Sequence, residues 1–337
     1  QRGITGLETA IILIAFVVVA SVFAYTVLSA GIFSSEKGKE AVHAGLEQAR
    51  GTMELVGSVK AVGVLADTIH NADAAWTGAA NVTATVEATD IKEGTGSAKL
   101  VVADAFTTGN IAYRNVTSMD ITDHYSVTLW IKSSLDMPAG RLQLVLDDTA
   151  AVVSPLETLS LPAITAASGW NEVQLKLATP SLLTAVISVG LNAASDPGAA
   201  TIYVDMVQAP GEVTQAVFTV ANALNGEAID LTTTADADSD GLLSDEASPS
   251  HVMNVTYLDK DQRLSDITWT KTQIGKGDGD NLLEPGEKMQ VTVQLKAASP
   301  MPVAYRTFTL EIKPEKGSVI AIQRTLPAVI DVAMDLK

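Results

Sequence analysis

One long uncharged segment near the beginning of the sequence limits the folds that this chain can adopt. From Ala10 to Phe33 there is no Asp, Glu, Lys or Arg, and only small hydroxyl side chains and Tyr25 interrupt the apolar run. A helix of this length can span a bilayer, and a helix that is apolar on all sides is stable only in lipid or among other helices. An ordinary amphipathic surface helix is therefore excluded.

The segment after Phe33 keeps a helical pattern but becomes amphipathic. Charged side chains fill one part of the helix surface, while apolar residues recur at steps of four and three, namely Val42, Leu46, Ala49, Met53 and Val56. No proline interrupts this region before Pro138. We therefore predict one helix from about residue 4 to about residue 65, roughly 90 Å long at 1.5 Å per residue.

The first residues carry two further expectations. Gln1 stands in place of an initiator Met, and no basic leader precedes the apolar run, so we expect a leader to have been cleaved before the helix rather than after it. Glu8 lies just ahead of the run. It suits the early part of a helix, where the macrodipole favours a carboxylate. Alternatively, it pairs with Arg2 or with the amino terminus of a neighbouring copy and sets the register of assembly.

The bulk composition narrows the function classes. The chain has 337 residues, enough for two or three domains, and no cysteine, so disulfides, thiolate metal sites and a cysteine nucleophile are excluded. Its formal net charge of −17 argues against a nucleic-acid partner, which would need clustered Lys and Arg. Such charge also opposes polymerisation unless cations, high salt or a strongly apolar assembly surface compensate.

Beyond residue 66 the sequence predicts β structure. Short runs rich in β-branched residues alternate with turn signals, for example YSVTLWIKSS, NEVQLKLA and KMQVTVQLKA. We predict an α+β chain with a helix over 1–66, a jelly-roll-like β-sandwich over 67–210 and a second β-sandwich over 211–337. Trp76, Trp130 and Trp170 fall in the first sandwich, where they belong to the core or, alternatively, stack on sugar rings.

Two acidic segments are candidate Ca²⁺ sites. Asp236, Asp238 and Asp240 alternate before Gly241 as in the start of an EF-hand-type loop, and Ala247 occupies the position of the closing Glu, which leaves Asp245 or Glu246 for that role. A second segment contains Asp278 and Asp280, followed by Glu284 and Glu287. In both cases a solvated acidic turn is the alternative. No organic cofactor is expected.

The remaining motifs concern modification and catalysis. Asn81, Asn115 and Asn254 each begin an Asn-Val-Thr triplet, an acceptor for N-glycosylation if the chain is exported and a chance triplet otherwise. The four histidines are isolated, and the sequence has no Gly-x-Ser-x-Gly elbow, phosphate loop or His-x-x-x-His pair. We therefore predict a protein that is not an enzyme.

The segment GLETAIILIAF and the helix that follows it resemble the mature N-terminus of archaellins, the relatives of type IV pilins. GDGDNLLEPGEKMQVTVQL and FTLEIKPEKGSVIAIQRTLP resemble their immunoglobulin-like outer domain. The intervening sandwich, similar to galactose-binding-like carbohydrate-binding modules, is then an insertion. The resemblance also implies a metal site, and the local acidic pattern at Asp278 and Asp280 matches it.

This resemblance implies a subunit of the archaellum, the rotating swimming filament of archaea. Its expected partners are copies of itself and paralogous archaellins, a prepilin-type peptidase, the membrane before assembly, and the motor and assembly platform. The expected location is the cell surface. Alternatives are an adhesive pilin whose inserted sandwich binds glycans and a membrane-anchored carbohydrate-binding protein. The predicted assembly residues are Arg2, Glu8, Ile11, Ile12, Phe16, Val18, Phe23, Val27, Val42, Leu46 and Met53.

Overall fold

A computed structural model describes residues 4–50, 53–223, 227–315 and 317–336. It begins with one helix, α1 (Ile4–Arg50), which includes the whole uncharged segment. Its more polar second half carries an exposed ion pair between Lys37 and Glu40, whose Nζ and Oε2 atoms are 2.5 Å apart at the i,i+3 spacing that a helix brings together. At 1.5 Å per residue, α1 is about 70 Å long.

The helix is shorter than the sequence predicts. Strand β1 (Met53–Val64) follows it directly, so the prediction of helix up to residue 65 is wrong for this segment. The spacing of apolar residues in Met53–Val64 fits the period of a helix as well as that of a strand. Val59 and Ala61 are buried on one face of the strand, as the alternation of a sheet requires. Long-range pairing with a distant strand, which local periodicity does not reveal, decides between the two.

Residues 67–209 form a two-sheet sandwich, here called the insert. The strands are β2 (Asp67–His70), β3 (Thr77–Gly78), β4 (Val82–Glu87), β5 (Ser97–Val102), β6 (Gly109–Met119), β7 (Ser126–Ser133), β8 (Leu142–Asp147), β9 (Glu157–Ser160), β10 (Asn171–Lys176), β11 (Val186–Ala193) and β12 (Thr201–Ala209). One sheet has the order β10-β7-β12-β5-β4, with β2 also paired to β12, and the other has the order β3-β6-β11-β8-β9. Buried aliphatic residues of both sheets, such as Leu129 and Leu144, form its core.

The remaining strands, together with β1, form a second sandwich, here called the outer unit. The strands that follow the insert are β13 (Glu212–Asn222), β14 (Ile229–Asp230), β15 (Asn254–Asp259), β16 (Arg263–Leu264), β17 (Trp269–Ile274), β18 (Leu282–Leu283), β19 (Lys288–Gln294), β20 (Thr307–Lys313), β21 (Ile320–Thr325) and β22 (Ala333–Leu336). The sheets of the outer unit have the orders β17-β19-β13-β1-β22 and β16-β15-β20-β21, and a short β14-β18 pair accompanies them. Trp269, Tyr257, Phe218 and Phe308 are the largest side chains in its core.

The insert interrupts a hairpin of the outer unit. Strands β1 and β13 are antiparallel neighbours, and their pairing runs from Met53 opposite Asn222 to Val64 opposite Glu212. The chain therefore leaves the outer sheet after Val64 and returns at Glu212, at the position of a hairpin turn. Because both ends lie side by side, a whole domain replaces the turn without disturbing the sheet.

This fold confirms the predicted α+β class, with one long N-terminal helix followed by β-sheets. It moves Met53 from the predicted assembly face of the helix into the core of the outer unit, where the residue is 2% exposed. Leu46 lies within α1, but its side chain is outside the described part of the chain.

The position of Met53 gives a first test. We expect Met53→Ala to lower the free energy of unfolding of the outer unit by about 2–5 kcal/mol, because it leaves a cavity in a packed core. Val42→Ala, at an exposed position of α1, is the control and should change that free energy by less than about 0.5 kcal/mol. Urea unfolding in detergent, followed by tryptophan fluorescence, measures both. Equal effects would contradict the assignment of Met53 to this core.

Candidate functional site

The surface of α1 is the most unusual feature of the molecule. Gly6–His43 is long and apolar enough to cross a membrane, and none of its most apolar window is buried inside the chain. Among the predicted apolar assembly residues that lie on α1 and whose side chains are described, exposure ranges from 53% at Val18 to 73% at Phe16. Ile11, Ile12, Phe23, Val27 and Val42 lie within this range. A continuous apolar surface of this size marks a site for lipid or protein.

Two hydroxyl groups within this surface, those of Ser21 and Thr26, are satisfied inside the helix. Ser21 Oγ donates to the carbonyl of Val18 at 2.9 Å, and Thr26 Oγ1 donates to the carbonyl of Phe23 at 2.8 Å. Such bonds allow a hydroxyl to enter an apolar environment without losing its partner. They therefore keep the surface compatible with a dry environment at both positions.

Glu8 is an acidic residue just ahead of the apolar segment. It is exposed, and the first turn of the described helix, which begins at Ile4, carries no acidic residue. Glu8 thus lies beyond the turn where the helix dipole favours a carboxylate most strongly. Burying it between helices would require a counter-charge. Arg2, the predicted partner, lies outside the described residues, so this pairing stays a prediction.

The first acidic loop brings its carboxylates together. Atoms of Asp236, Asp238 and Glu246 lie within 4.8 Å of one another, as do those of Asp238, Asp240 and Asp245. The loop closes tightly because Gly241 has a φ of +96°, and a Cβ there would lie 2.9 Å from the backbone nitrogen of Ala297. Glycine therefore sets the path that turns the carboxylates inward.

Asp236 anchors this loop in the outer unit. Its Oδ2 accepts from Lys296 Nζ at 2.9 Å, Thr268 Oγ1 at 3.1 Å and the amide of Gly241 at 3.1 Å. Burial alone would raise the pKa of Asp236, but these bonds and the Lys296 charge outweigh it, and the pKa is lowered. The side chain is 6% exposed, yet its Oδ1 is buried without a hydrogen-bond partner.

The second acidic segment is arranged differently. Asp278 Oδ1 accepts from the amide of Asp280, and Asp280 Oδ1 accepts from the amide of Leu282, so both carboxylates shape their own turn. Glu287 Oε2 accepts from the amide of Glu284 and is nearly buried. Within the described residues, three carboxylates converge at the first loop but not at this one.

The three glycosylation triplets differ in accessibility. Asn81, in a turn before β4, and Asn115, on β6, are exposed in the insert. Asn254 is half-buried at the start of β15, where its Oδ1 accepts from Thr256 Oγ1 at 3.1 Å, and Thr256 is only 6% exposed. Asn81 Nδ2 donates to the carbonyl of Ala105, and Asn115 Oδ1 accepts from the amide of Ala151, so exposure rather than a lack of partners distinguishes the first two triplets.

The tryptophans of the insert are engaged within the chain. Trp76 is 3% exposed and belongs to the core. The ammonium of Lys92 lies 4.1 Å from the centre of the Trp130 ring, and Trp170 Nε1 donates to Asp90 Oδ1 at 3.0 Å. Lys92 therefore covers one face of Trp130, whereas Asp90 holds Trp170 by the edge of its ring.

His251 in the outer unit contacts Thr234 and Asp266, two residues that the sequence alone did not connect with it. His251 Nε2 lies 2.9 Å from Asp266 Oδ1, and its Nδ1 lies 2.9 Å from Thr234 Oγ1. The Thr234 hydroxyl oxygen also accepts from the amides of Ser250 and His251, which hold it in place. These contacts hold together the two chain segments that enter and leave the first acidic loop.

Together these features define a class of protein: a chain whose exposed apolar helix must be covered by lipid or by other helices, attached to two acidic β-sandwiches. The comparison of families identifies the class further. The model for archaeal-type flagellin matches residues 3–324, and the chain belongs to this family.

Individual relatives match over shorter stretches. Probable flagellin 1 of Archaeoglobus fulgidus is 59% identical over 63 residues, which are 19% of this chain and 31% of the relative. The 24 kDa flagellin of Methanospirillum hungatei is 64% identical over 31 residues, which are 9% of this chain and 97% of the relative. The chain spans about a third of the length of the first of these relatives.

Solved structures give weaker likenesses. The archaeal flagellum of Methanospirillum hungatei covers 97% of this chain and 99% of its own at 17% identity, with a TM-score of 0.38. A family 30 carbohydrate-binding module of Clostridium thermocellum covers 44% of this chain and 98% of its own at 14% identity, with a TM-score of 0.30.

Proposed function

We propose that this chain is the structural subunit of an archaellum and that it polymerises through α1. The observation that carries the proposal is the apolar surface of Gly6–His43, which the chain itself leaves uncovered. Each Phe, Leu, Ile or Val that becomes fully buried contributes about 1.5–3 kcal/mol. A helix with more than a dozen such residues therefore supplies strong association even after the entropic costs of assembly.

The same surface supports the proposed route to the filament. A helix apolar on all sides is stable in a bilayer and equally stable among identical helices, so a subunit can pass from one to the other. The proposed partners are copies of this chain and paralogous flagellins, a prepilin-type peptidase, the membrane, and the assembly platform with its motor. The proposed location of the assembled chain is the cell surface, and its proposed role is structural rather than enzymatic.

The first acidic loop supports a second proposal, that it binds Ca²⁺ or another divalent cation. Five carboxylates offer the hard oxygen ligands that Ca²⁺ prefers, and the unpartnered Oδ1 of Asp236 is the kind of buried acceptor that a cation satisfies. Asp238, Asp240, Asp245 and Glu246 would supply the rest. Bound cations would also reduce the repulsion between acidic subunits. Asp278, Asp280 and Glu284 are the weaker candidates.

Polymerisation can be tested at two positions in α1. We expect Val18→Asp together with Phe23→Asp to abolish filaments, because each copy would bring two unpaired carboxylates into a dry helical core. The control is Val18→Ala with Phe23→Leu, which keeps the surface apolar. Electron microscopy of sheared surface filaments is the measurement. Normal filaments from the Asp variant would contradict the proposal, and so would a native chain found only as a detergent-soluble monomer.

Cation binding can be tested by thermal unfolding. At a Ca²⁺ concentration about 100 times its Kd, the outer unit should gain about 2.7 kcal/mol. We expect Asp238→Asn to remove most of this gain, because Asp238 belongs to both carboxylate groups, and Asp278→Asn to leave it unchanged. The reverse result would move the site to the second segment, and no gain in the native chain would refute it.

Glycosylation is proposed at Asn81 and Asn115, and follows from their exposure in the folded chain. Mass spectrometry of peptides from native filaments should find glycan at these two positions and little at the half-buried Asn254. Heavy occupancy at Asn254 alone would indicate that exposure in the folded chain does not select the site.

A further inference from the structure

The insert and the outer unit meet at a defined joint. On the insert side, it consists of residues 124–126 and strand β10. Gln174 Nε2 donates to Ser126 Oγ at 2.8 Å and lies 3.5 Å from the carbonyl oxygen of Met301, while Lys176 Nζ lies 3.4 Å from the carbonyl oxygen of Ala297. Tyr125 packs against the core of the outer unit. The insert is therefore docked as well as tethered.

Glu212 is at the centre of this joint. It is the first residue of β13, paired with Val64 where the chain leaves the outer sheet, and it is fully buried. Its carboxylate crosses to the insert: Oε1 accepts from the amide of Tyr125, and Oε2 accepts from Ser126 Oγ at 2.6 Å. Both donors are neutral, so the carboxylate is buried without an ion pair, which is a costly state.

The surroundings of Glu212 favour its neutral form. Burial raises the pKa of Glu212 to about 7, although the hydrogen bonds from Ser126 and Tyr125 act in the opposite direction. The charge of Asp123 on the insert also raises it. On the outer unit, Glu212 meets Val64, Val303 and the backbone next to Pro302, which carry no charge.

His124 ties the insert to the two crossing segments. It is 1% exposed, and its Nδ1 lies 3.2 Å from the carbonyl oxygen of Pro210. Its Nε2 lies 3.4 Å from Asp67 Oδ2 and 3.7 Å from Asp123 Oδ1. Pro210 and Asp67 both lie where the chain passes between the two units, so His124 packs at the crossing.

We propose that Glu212 makes the docking of the insert onto the outer unit depend on protons. At acidic pH, Glu212 is neutral, so the insert keeps one orientation. At alkaline pH, a buried charge appears at Glu212. The insert then undocks and moves on its two tethers, residues 65–66 and 210–211, while both sandwiches stay folded.

The direction follows from linkage. The pKa of Glu212 is raised in the docked state from 4.5 to about 7, so the docked state binds the proton more tightly. The contribution of Glu212 to docking is fully present below about pH 4.5 and is lost as the pH rises through about 7. The inference rests on the contacts of the joint alone and holds whether or not the chain polymerises.

The absence of native cysteine allows a direct test on the full chain in detergent. Spin labels at Ala139→Cys in the insert and Ser318→Cys in the outer unit, both exposed, report the distance between the two units by pulsed electron paramagnetic resonance. All samples contain EDTA, so that the acidic loop is free of metal. We expect a narrow distance distribution at pH 5 that broadens at pH 8.5, with the broadening developing as the pH rises through about 7.

Glu212→Gln preserves the shape of the side chain but cannot ionise, so its distribution should remain much narrower than that of the native chain at pH 8.5. Asp205→Asn is the matched control: Asp205 is also a buried carboxylate with a raised pKa, but it accepts from the amides of Lys92 and Glu93, which belong to the insert itself. It should respond as the native chain does. A native distribution that does not change with pH would overturn the proposal, as would the same broadening in Glu212→Gln.

Discussion

The rest of this structure depends on an apolar helix that the described part of its own chain does not cover. The β-sandwiches bury their apolar residues in two cores, whereas the most apolar window of α1 is entirely exposed. Water is not a stable environment for such a surface, so lipid or other helices must complete the fold. Membership of the archaeal-type flagellin family and the acidic character of the chain fit a molecule that buries one end in an assembly and keeps the other hydrated.

The insertion point explains how the chain can carry an extra domain. Since β1 and β13 are adjacent, the outer sheet closes around the insert as it would around a hairpin turn. The same geometry creates a joint, because the two crossing segments and Glu212 lie where the sandwiches meet. A fully buried polar contact between the two sandwiches fixes one orientation of the insert, and it is sensitive to the protonation of the groups that make it. The insert thus has its own core and is held on the outer unit by the contacts of Glu212.

The sequence could predict features that depend on local pattern and could not predict those that depend on distant pairing. The uncharged run from Ala10 to Phe33 specified α1, and alternation such as that of YSVTLWIKSS specified strands. The prediction of helix for Met53–Val64 is wrong because the apolar spacing there suits a helix as well as a strand. Only pairing with β13 and β22 makes this segment a strand. Asp236, Asp238 and Asp240 were found from their spacing, but the roles of Lys296 and Thr268 required the fold. Glu212 and His124 gave no signal, since their partners lie in other parts of the sequence.

The central claim is that α1 is covered by copies of itself, and the radial position of this helix in native filaments tests it most directly. A helical reconstruction of filaments sheared from cells, with mass spectrometry to identify the subunit, would locate both the helix and the β units. We predict α1 in a continuous helical core and both sandwiches at larger radius. A filament in which α1 lies outside the core, or recovery of the chain only as single copies in the membrane fraction, would contradict the account.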